Sequence, residues 1–272
     1  MDDLSAARIE LTRLEKGAAA RAGDFVAREE PLEIRVEGRS LAVSMRTPGH
    51  DEELAAGFLL TESVVKNAAD IFEISPCESA TGGKNVIDVL LTSGVKVNWD
   101  SLTRHVFASS SCGVCGKATL DSVFANFPAV QSVMRVSSAL LQTLPDRLRA
   151  AQETFARTGG LHASAIFDRE GNLIVLREDV GRHNALDKAL GFCLRNQMLP
   201  LENHLLMVSG RVSFEIMQKS LAGGIPMVVA ISAPSSLAVE FARGSGQTLV
   251  GFIRGDKMNV YANEERVICD SW

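Results

Sequence analysis

The chain has 272 residues, 28 basic against 33 acidic, a net charge of −5 and 46% hydrophobic residues, enough for a sizeable core and two unequal domains. An acidic balance without a basic stripe argues against a general nucleic-acid binder, and no window approaches the roughly 18 consecutive apolar residues of a membrane span. The acidic start, Met1-Asp2-Asp3-Leu4, has no apolar run of the secretory type, and five cysteines, an odd number, suit a reducing compartment, so a cytoplasmic protein is expected.

Residues 1–22 are charged and alanine-rich without a clear apolar face, which predicts a partly ordered extension. Strand signals follow at 25–30 and 32–37, Gly38-Arg39 makes a hairpin turn, and 41–45 returns. Pro48-Gly49-His50-Asp51 stops that strand and leads into a helix over 52–66 with acids in its first turn. A further strand at 85–92 completes a small α+β domain over 23–106.

Residues 107–130 hold the most informative stretch, Ser109-Ser110-Ser111-Cys112-Gly113-Val114-Cys115-Gly116-Lys117, a paired thiol between glycines with a helical run behind it at 118–127. A helix start and Lys117 both favour thiolate over thiol against a reference pKa of about 8.5. The spacing is compatible with half of a zinc site, with a dithiol redox centre, or with incidental cysteines in a loop. Zinc needs two more ligands, and Cys77, Cys193 and Cys269 are isolated, with no second CxxC or HxxxH in the chain. A thioredoxin-like centre needs a buried strand before the motif, whereas 101–107 is polar. Glycines on both sides supply an access that an inert buried thiol does not need.

Beyond it, 137–157 is a capped helical region that Pro145 should interrupt. Strands at 162–168 and 173–178 flank the turn Arg169-Glu170-Gly171-Asn172, and a helix at 182–196 carries Ala185, Leu186, Ala189, Leu190 and Cys193 on one side. Strands at 205–208, 227–231 and 248–253 alternate with helices near 212–222 and 235–243, and 258–261 closes the pattern. The alternation predicts a three-layer α/β/α domain over 131–272.

Ligands of such sheets collect at the carboxyl ends of the strands. Ser209-Gly210-Arg211-Val212-Ser213 offers free backbone N–H groups, hydroxyls and a guanidinium to an anion, and reads equally as an ordinary tight turn. Ala233-Pro234-Ser235-Ser236 opens the next helix in a similar way and reads more readily as a plain helix cap. In Gly251-Phe252-Ile253-Arg254-Gly255-Asp256-Lys257, Phe252 is placed to stack on a base, Arg254 and Lys257 to hold phosphates and Asp256 to accept from a guanine edge, against the plainer reading of a charged hairpin turn. The polar run 177–188 reads equally as structure, with Asp179 or Asn184 capping the helix and Arg182 solvated, and as function, with His183 suited to a proton shuttle.

The strand and helix order, with His162-Ala163 entering the sheet, resembles the cytidine deaminase fold. Zinc deaminases need H-x-E and a later P-C-x-x-C; here Ser164 stands in place of the glutamate and no CxxC follows His162, so deaminase chemistry is not expected. The runs 111–117, 158–163, 178–188, 209–215 and 251–254 together resemble the FdhD family of sulfur carriers that mature formate dehydrogenase, in one register from about 25 to 268. That resemblance implies a sulfurtransferase that takes persulfide sulfur from a cysteine desulfurase and places it on the molybdenum bis-molybdopterin guanine dinucleotide cofactor. Cys112 would carry the persulfide with Cys115 as its helper. Phe252, Ile253, Arg254, Gly255, Asp256 and Lys257 would form part of the cofactor-binding stretch, to which the anion-binding reading adds Ser209 and Arg211. The resemblance also suggests a homodimer with one guanine-nucleotide pocket per subunit, with formate dehydrogenase as partner and no protein-ligated metal. The alternative is a non-covalent cofactor chaperone; a zinc-dependent hydrolase would require stoichiometric metal.

Overall fold

The computed structural model describes residues 4–77, 85–99 and 127–269. Residues Ala6–Glu15 (β1) and Ala18–Ala27 (β2) pair antiparallel through Lys16 and Gly17, both at positive φ as a two-residue hairpin turn requires. An ordered hairpin therefore stands where composition suggested a partly ordered extension. Most of it is exposed, so it carries no strong alternating apolar signal.

The small sheet has the order β4-β3-β6-β5, built from Glu30–Val36 (β3), Arg39–Arg46 (β4), Ile71–Cys77 (β5) and Val86–Leu91 (β6). Leu32, Ile34 and Val36 alternate inward, and Glu37-Gly38 at positive φ turns β3 into β4. The helix expected over 52–66 is shorter, Asp51–Thr61 (α1). Ser63 at φ 60° ends it, and Val64 and Val65 fold back to donate to Leu59 O.

The large sheet has six strands in the order β13-β12-β11-β10-β8-β9. These are His162–Asp168 (β8), Leu173–Asp179 (β9), His204–Val208 (β10), Met227–Ala230 (β11), Thr248–Arg254 (β12) and Lys257–Ala262 (β13). β10, β11 and β12 are parallel, while β8, β9 and β13 run antiparallel to their neighbours. Both faces are buried. Ala165, Phe167, Leu205, Met207 and Val229 pack with Leu141, Leu144 and Leu148 of Ser138–Ala151 (α2). Ile166, Leu206, Val208 and Val228 face Arg182–Arg195 (α4), Phe214–Ala222 (α5) and Ser236–Ser245 (α6). Burial on both faces explains the near-continuous apolar strands. A short parallel pair, Val136–Ser137 (β7) with Val267–Ile268 (β14), lies beside α2.

Pro145 does not interrupt α2. Leu141, Leu144 and Leu148 are fully buried and Ser137 Oγ caps the N-terminus by accepting from Leu140 N, so packing overrides the local penalty. A second short helix, Glu153–Thr158 (α3), follows through Gln152.

The two sheets are joined by α1 against α4. A Cβ on Gly57 would lie 1.8 Å from Asp187 O, and one on Gly191 would lie 1.8 Å from Glu53 O, so the backbones touch and only glycine fits at either position. Polar groups lock the same joint. Lys188 Nζ reaches Asp179 Oδ2 at 2.7 Å and donates to Thr47 O at 2.7 Å, with both charged side chains essentially fully buried. Lys219 Nζ donates to both oxygens of Asp187, at 3.0 and 2.9 Å, and Thr61 Oγ1 donates to Asp187 Oδ1 at 3.0 Å. Burial works against the Lys219 charge, but Asp187 outweighs it and the pKa sits above the ordinary lysine value.

Candidate functional site

The carboxyl ends of β10, β11 and β12 lead into three loops that hydrogen-bond to one another. Ile231 N donates to Val208 O at 3.2 Å, Val212 N to Ala233 O at 3.1 Å, Ser235 N to Val212 O at 2.9 Å, and Phe252 N to Ser232 O at 3.2 Å. Because Val212 is held in this ladder, α5 begins at Phe214, two residues later than expected. The antiparallel strand β8 starts at the same edge and brings His162 there. Ser209 ties the two together, its N donating to Ala163 O at 3.0 Å and its Oγ accepting from Ala163 N at 2.9 Å.

At the end of β12 a register shift between Gly251 and Arg254 turns the chain. Phe252 takes φ 53° and is 49% exposed, while Ile253 is 1% exposed and packs into the core with Val250. The bulge thus separates the stretch 252–257 into an outward aromatic, an inward aliphatic and an exposed turn of Arg254, Gly255, Asp256 and Lys257. Gln142 Nε2 donates to Asp256 O at 3.1 Å and fastens that turn to α2. Ser209 is half-buried and Arg211 is exposed on the neighbouring loop.

Positive charge gathers around His162. Burial, then Arg182, His183 and Arg211, hold its pKa below the ordinary imidazole value, with Asp179 working the other way, so a neutral ring is favoured near pH 7. A Cβ on Gly210 would lie 3.1 Å from His162 Nδ1 and 3.9 Å from Arg182 Cδ, which places both side chains against that loop. His183 Nε2 meets Glu215 Oε2 at 2.8 Å and Ser213 Oγ at 3.4 Å. The hydrogen bond from His183 draws the Glu215 carboxyl below its ordinary range.

Next to Ser209 opens a cleft of about 570 Å³, lined among others by Arg149, Gln152, Phe155, Leu161, His162 and Ser209. Sequence reading found Ser209 and noted His162 as a strand start, but missed Arg149 and Gln152. Their signal was a helix end with no distinctive motif. Cys112 and Cys115 lie outside the described residues. Cys193 is buried in the core, and burial pushes its thiol up to about 12, which makes it inert. Among the described residues no group of three His, Cys, Asp or Glu side chains is arranged to hold a metal ion, and no helix is long and apolar enough to cross a membrane.

The family model described as the FdhD/NarQ family matches residues 27–268, nearly the whole chain. The chain belongs to the FdhD/NarQ family. Its relatives include the sulfur carrier protein FdhD of Streptomyces coelicolor, 51% identical over 96% of this chain and 95% of that protein. The protein of the same name from Mycobacterium tuberculosis is 50% identical over 90% and 92%, and that of Sulfolobus acidocaldarius 42% over 96% and 98%. Among solved structures, a candidate formate dehydrogenase accessory protein from Desulfotalea psychrophila superposes with a TM-score of 0.77 at 26% identity, covering 97% of this chain and all of that one. The FdhD/NarQ match includes the residues of both sheets and, in sequence, residues 107–130.

Proposed function

We propose that this chain is a sulfur carrier in the maturation of formate dehydrogenase, acting through a persulfide on Cys112. The observation that carries the reading is the pairing, in one FdhD/NarQ chain, of the Cys112-Gly-Val-Cys115 motif with an anion-suited strand edge at Ser209, Arg211 and Phe252. In the loading step the Cys112 thiolate attacks the outer sulfur of a cysteine desulfurase persulfide. The new S–S bond forms on Cys112, the donor's S–S bond breaks, and the donor cysteine leaves as thiolate, so no external oxidant or reductant is needed. Cys115 is the neighbouring thiol that assists.

The acceptor in this reading is the molybdenum bis-molybdopterin guanine dinucleotide cofactor, bound as substrate. Its guanine would stack on Phe252 with Asp256 accepting from the base edge, and its phosphates would meet Ser209, Arg211, Arg254 and Lys257. Gly255 permits the turn, and Ile253 anchors it from the core side. A cytoplasmic homodimer with one nucleotide pocket per subunit completes the proposal. The hairpin followed by parallel βαβ units, covered by helices on both faces, supports the cytidine deaminase-like reading of the large domain.

The test is genetic and biochemical together. Cys112→Ser should abolish activation of formate dehydrogenase while leaving cofactor binding intact, and an active enzyme in the Cys112→Ser background sinks the carrier role. The exposed binding edge favours one further reading, a non-covalent cofactor chaperone. In that case both cysteines can be replaced by alanine without loss, whereas Arg254→Ala releases the nucleotide.

A further inference from the structure

The short segment that contains α3 separates two clefts. Gln152, Phe155 and Leu161 line the cleft of about 570 Å³ beside Ser209. Glu153, Thr154 and again Leu161 line a second cleft of about 550 Å³, which also takes in Ser5, His50 and Glu178. Alternate residues of one six-residue helix thus face two different cavities, and α3 is the partition between them.

The partition is lightly attached. None of the six residues of α3 is buried, whereas Leu141, Leu144 and Leu148 hold α2 in the core. Glu178 of β9 accepts at both carboxylate oxygens, from Thr154 N at 2.9 Å and Phe155 N at 2.8 Å, and so caps the first turn of α3 from another element. Two further contacts come from the hairpin and its root: Ser5 Oγ lies 3.0 Å from Thr154 Oγ1, and the Arg157 guanidinium stands over the Phe25 ring at 4.7 Å. A helix held by polar contacts at its surface, with no apolar side chain of its own in the core, belongs to the low-stability end from which moving elements are drawn. Its two ends are also places where the backbone can turn. Gln152 leaves helical geometry at ψ 82°, and Gly159, at φ 66°, is followed by Gly160. A Cβ on Gly160 would lie 3.6 Å from Ala27 Cβ at the end of β2, so the second turning point sits against the hairpin. Gln152 is 3% exposed and its side-chain nitrogen has no hydrogen-bond partner, a deficit that rotation of this residue toward solvent removes.

We propose that α3 is a hinged flap that turns about Gln152 and Gly159-Gly160, latched by Glu178, with the β1–β2 hairpin as the lever that sets its position. Closed, the flap walls the two clefts from each other and covers Leu161, which is 4% exposed. Open, it uncovers Leu161 and joins the clefts, so that a body longer than either can enter. This holds whatever ligand either cleft takes.

Site-resolved thiol labelling of the full chain tests it. Leu161→Cys places a reactive probe under the flap, and the native Cys193, 0% exposed in the core, reports global unfolding in the same sample. Iodoacetamide uptake at the two positions is read by peptide mass spectrometry in Leu161→Cys alone and in combination with Glu178→Ala or Arg157→Ala. The expected result is labelling at position 161 about tenfold faster with Glu178→Ala, the scale of one hydrogen bond to a charged acceptor. With Arg157→Ala it should be about two- to fivefold faster, the scale of an exposed cation–π contact, and Cys193 should be unchanged in both. Unchanged labelling at position 161 in Glu178→Ala, or an equal rise at Cys193, overturns the flap. A rise with Glu178→Ala but none with Arg157→Ala overturns the hairpin's part as lever. Should Leu161→Cys fail to fold by circular dichroism, hydrogen exchange of the chain without that substitution decides: residues 152–161 should exchange about tenfold faster in Glu178→Ala while 141–148 keep the wild-type rate, and equal rates over 152–161 overturn the proposal.

Discussion

Replacing Gly57 with alanine would push a methyl group into the backbone of the facing helix. The new Cβ would start 1.8 Å from Asp187 O, and Asp187 C and Gly191 N lie at 2.6 and 2.9 Å. An ordinary contact of about 3.2 Å would require the helices to part by roughly 1.4 Å, and the obstructing atoms are backbone, which cannot rotate away. Overpacking of this kind costs about 3 kcal/mol, and alanine returns about 1 kcal/mol through its better helix propensity, leaving a net loss on the order of 2 kcal/mol. In a chain of this size that is a fall of roughly 4–8 °C in Tm, read by thermal unfolding with circular dichroism. A Gly57→Ala protein with unchanged Tm would refute the reasoning, since the two helices could then separate freely. Gly191→Ala, which meets Glu53 O at the same 1.8 Å, should behave alike, and the double variant should cost less than the sum because one separation relieves both contacts.

Lys188→Met should destabilise by about 3–5 kcal/mol in denaturant unfolding, because it strands Asp179 uncompensated in the interior; a loss under 1 kcal/mol would mean that water reaches the carboxylate. Phe252→Gly should leave stability unchanged or raise it by about 1 kcal/mol, since glycine accepts the φ of 53°, while GDP affinity falls; loss of both would show that the ring is structural. Ile253→Ala, by contrast, should cost about 2–4 kcal/mol with little direct effect on the base, and equal behaviour of the two variants would contradict the outward and inward division of the stretch. Glu53 is pulled from its ordinary 4.5 to about 2, burial being outweighed by the bidentate pair with Arg177 at 2.5 and 2.8 Å. Its folded value is depressed, so its contribution is present above about pH 4.5 and is lost as pH falls toward 2. The shift corresponds to roughly 3 kcal/mol, about 2 after allowance for partial solvent screening, and urea midpoints of wild type and Glu53→Gln that stay equally far apart from pH 6 to pH 2.5 would refute it.

The large sheet was legible because its parallel strands are buried on both faces and its helices carry one-sided apolar patterns, so the periods of strand and helix alternate cleanly along 162–262. The turns at Gly38 and Gly255 were legible because glycine marks positive φ. The β1–β2 hairpin was not, since Ala18–Ala27 is short-chained and exposed and offers no apolar alternation. Strand Ile71–Cys77 was missed for a related reason: it contains Pro76 at a sheet edge and is only partly buried. The continuation of α2 through Pro145 depended on three leucines meeting the sheet, a tertiary effect invisible to local propensity. At the site, Ser209, Arg211 and Phe252 announced themselves by lying at strand ends. Gln152 carried no such mark, because its significance is a missing partner, and partners are known only once the chain is folded. The opposite directions of Phe252 and Ile253 likewise follow from a bulge that sequence spacing does not reveal.

The most direct measurement is intact mass spectrometry of the purified chain after incubation with an active cysteine desulfurase and cysteine, beside Cys112→Ser and Cys115→Ser. Sulfur carriage on Cys112 predicts the mass of one added sulfur atom, removed by reductant, present in Cys115→Ser and missing in Cys112→Ser. Wild-type protein that gains no sulfur from a donor shown to be active, or a Cys112→Ser protein that gains it fully, would contradict the account.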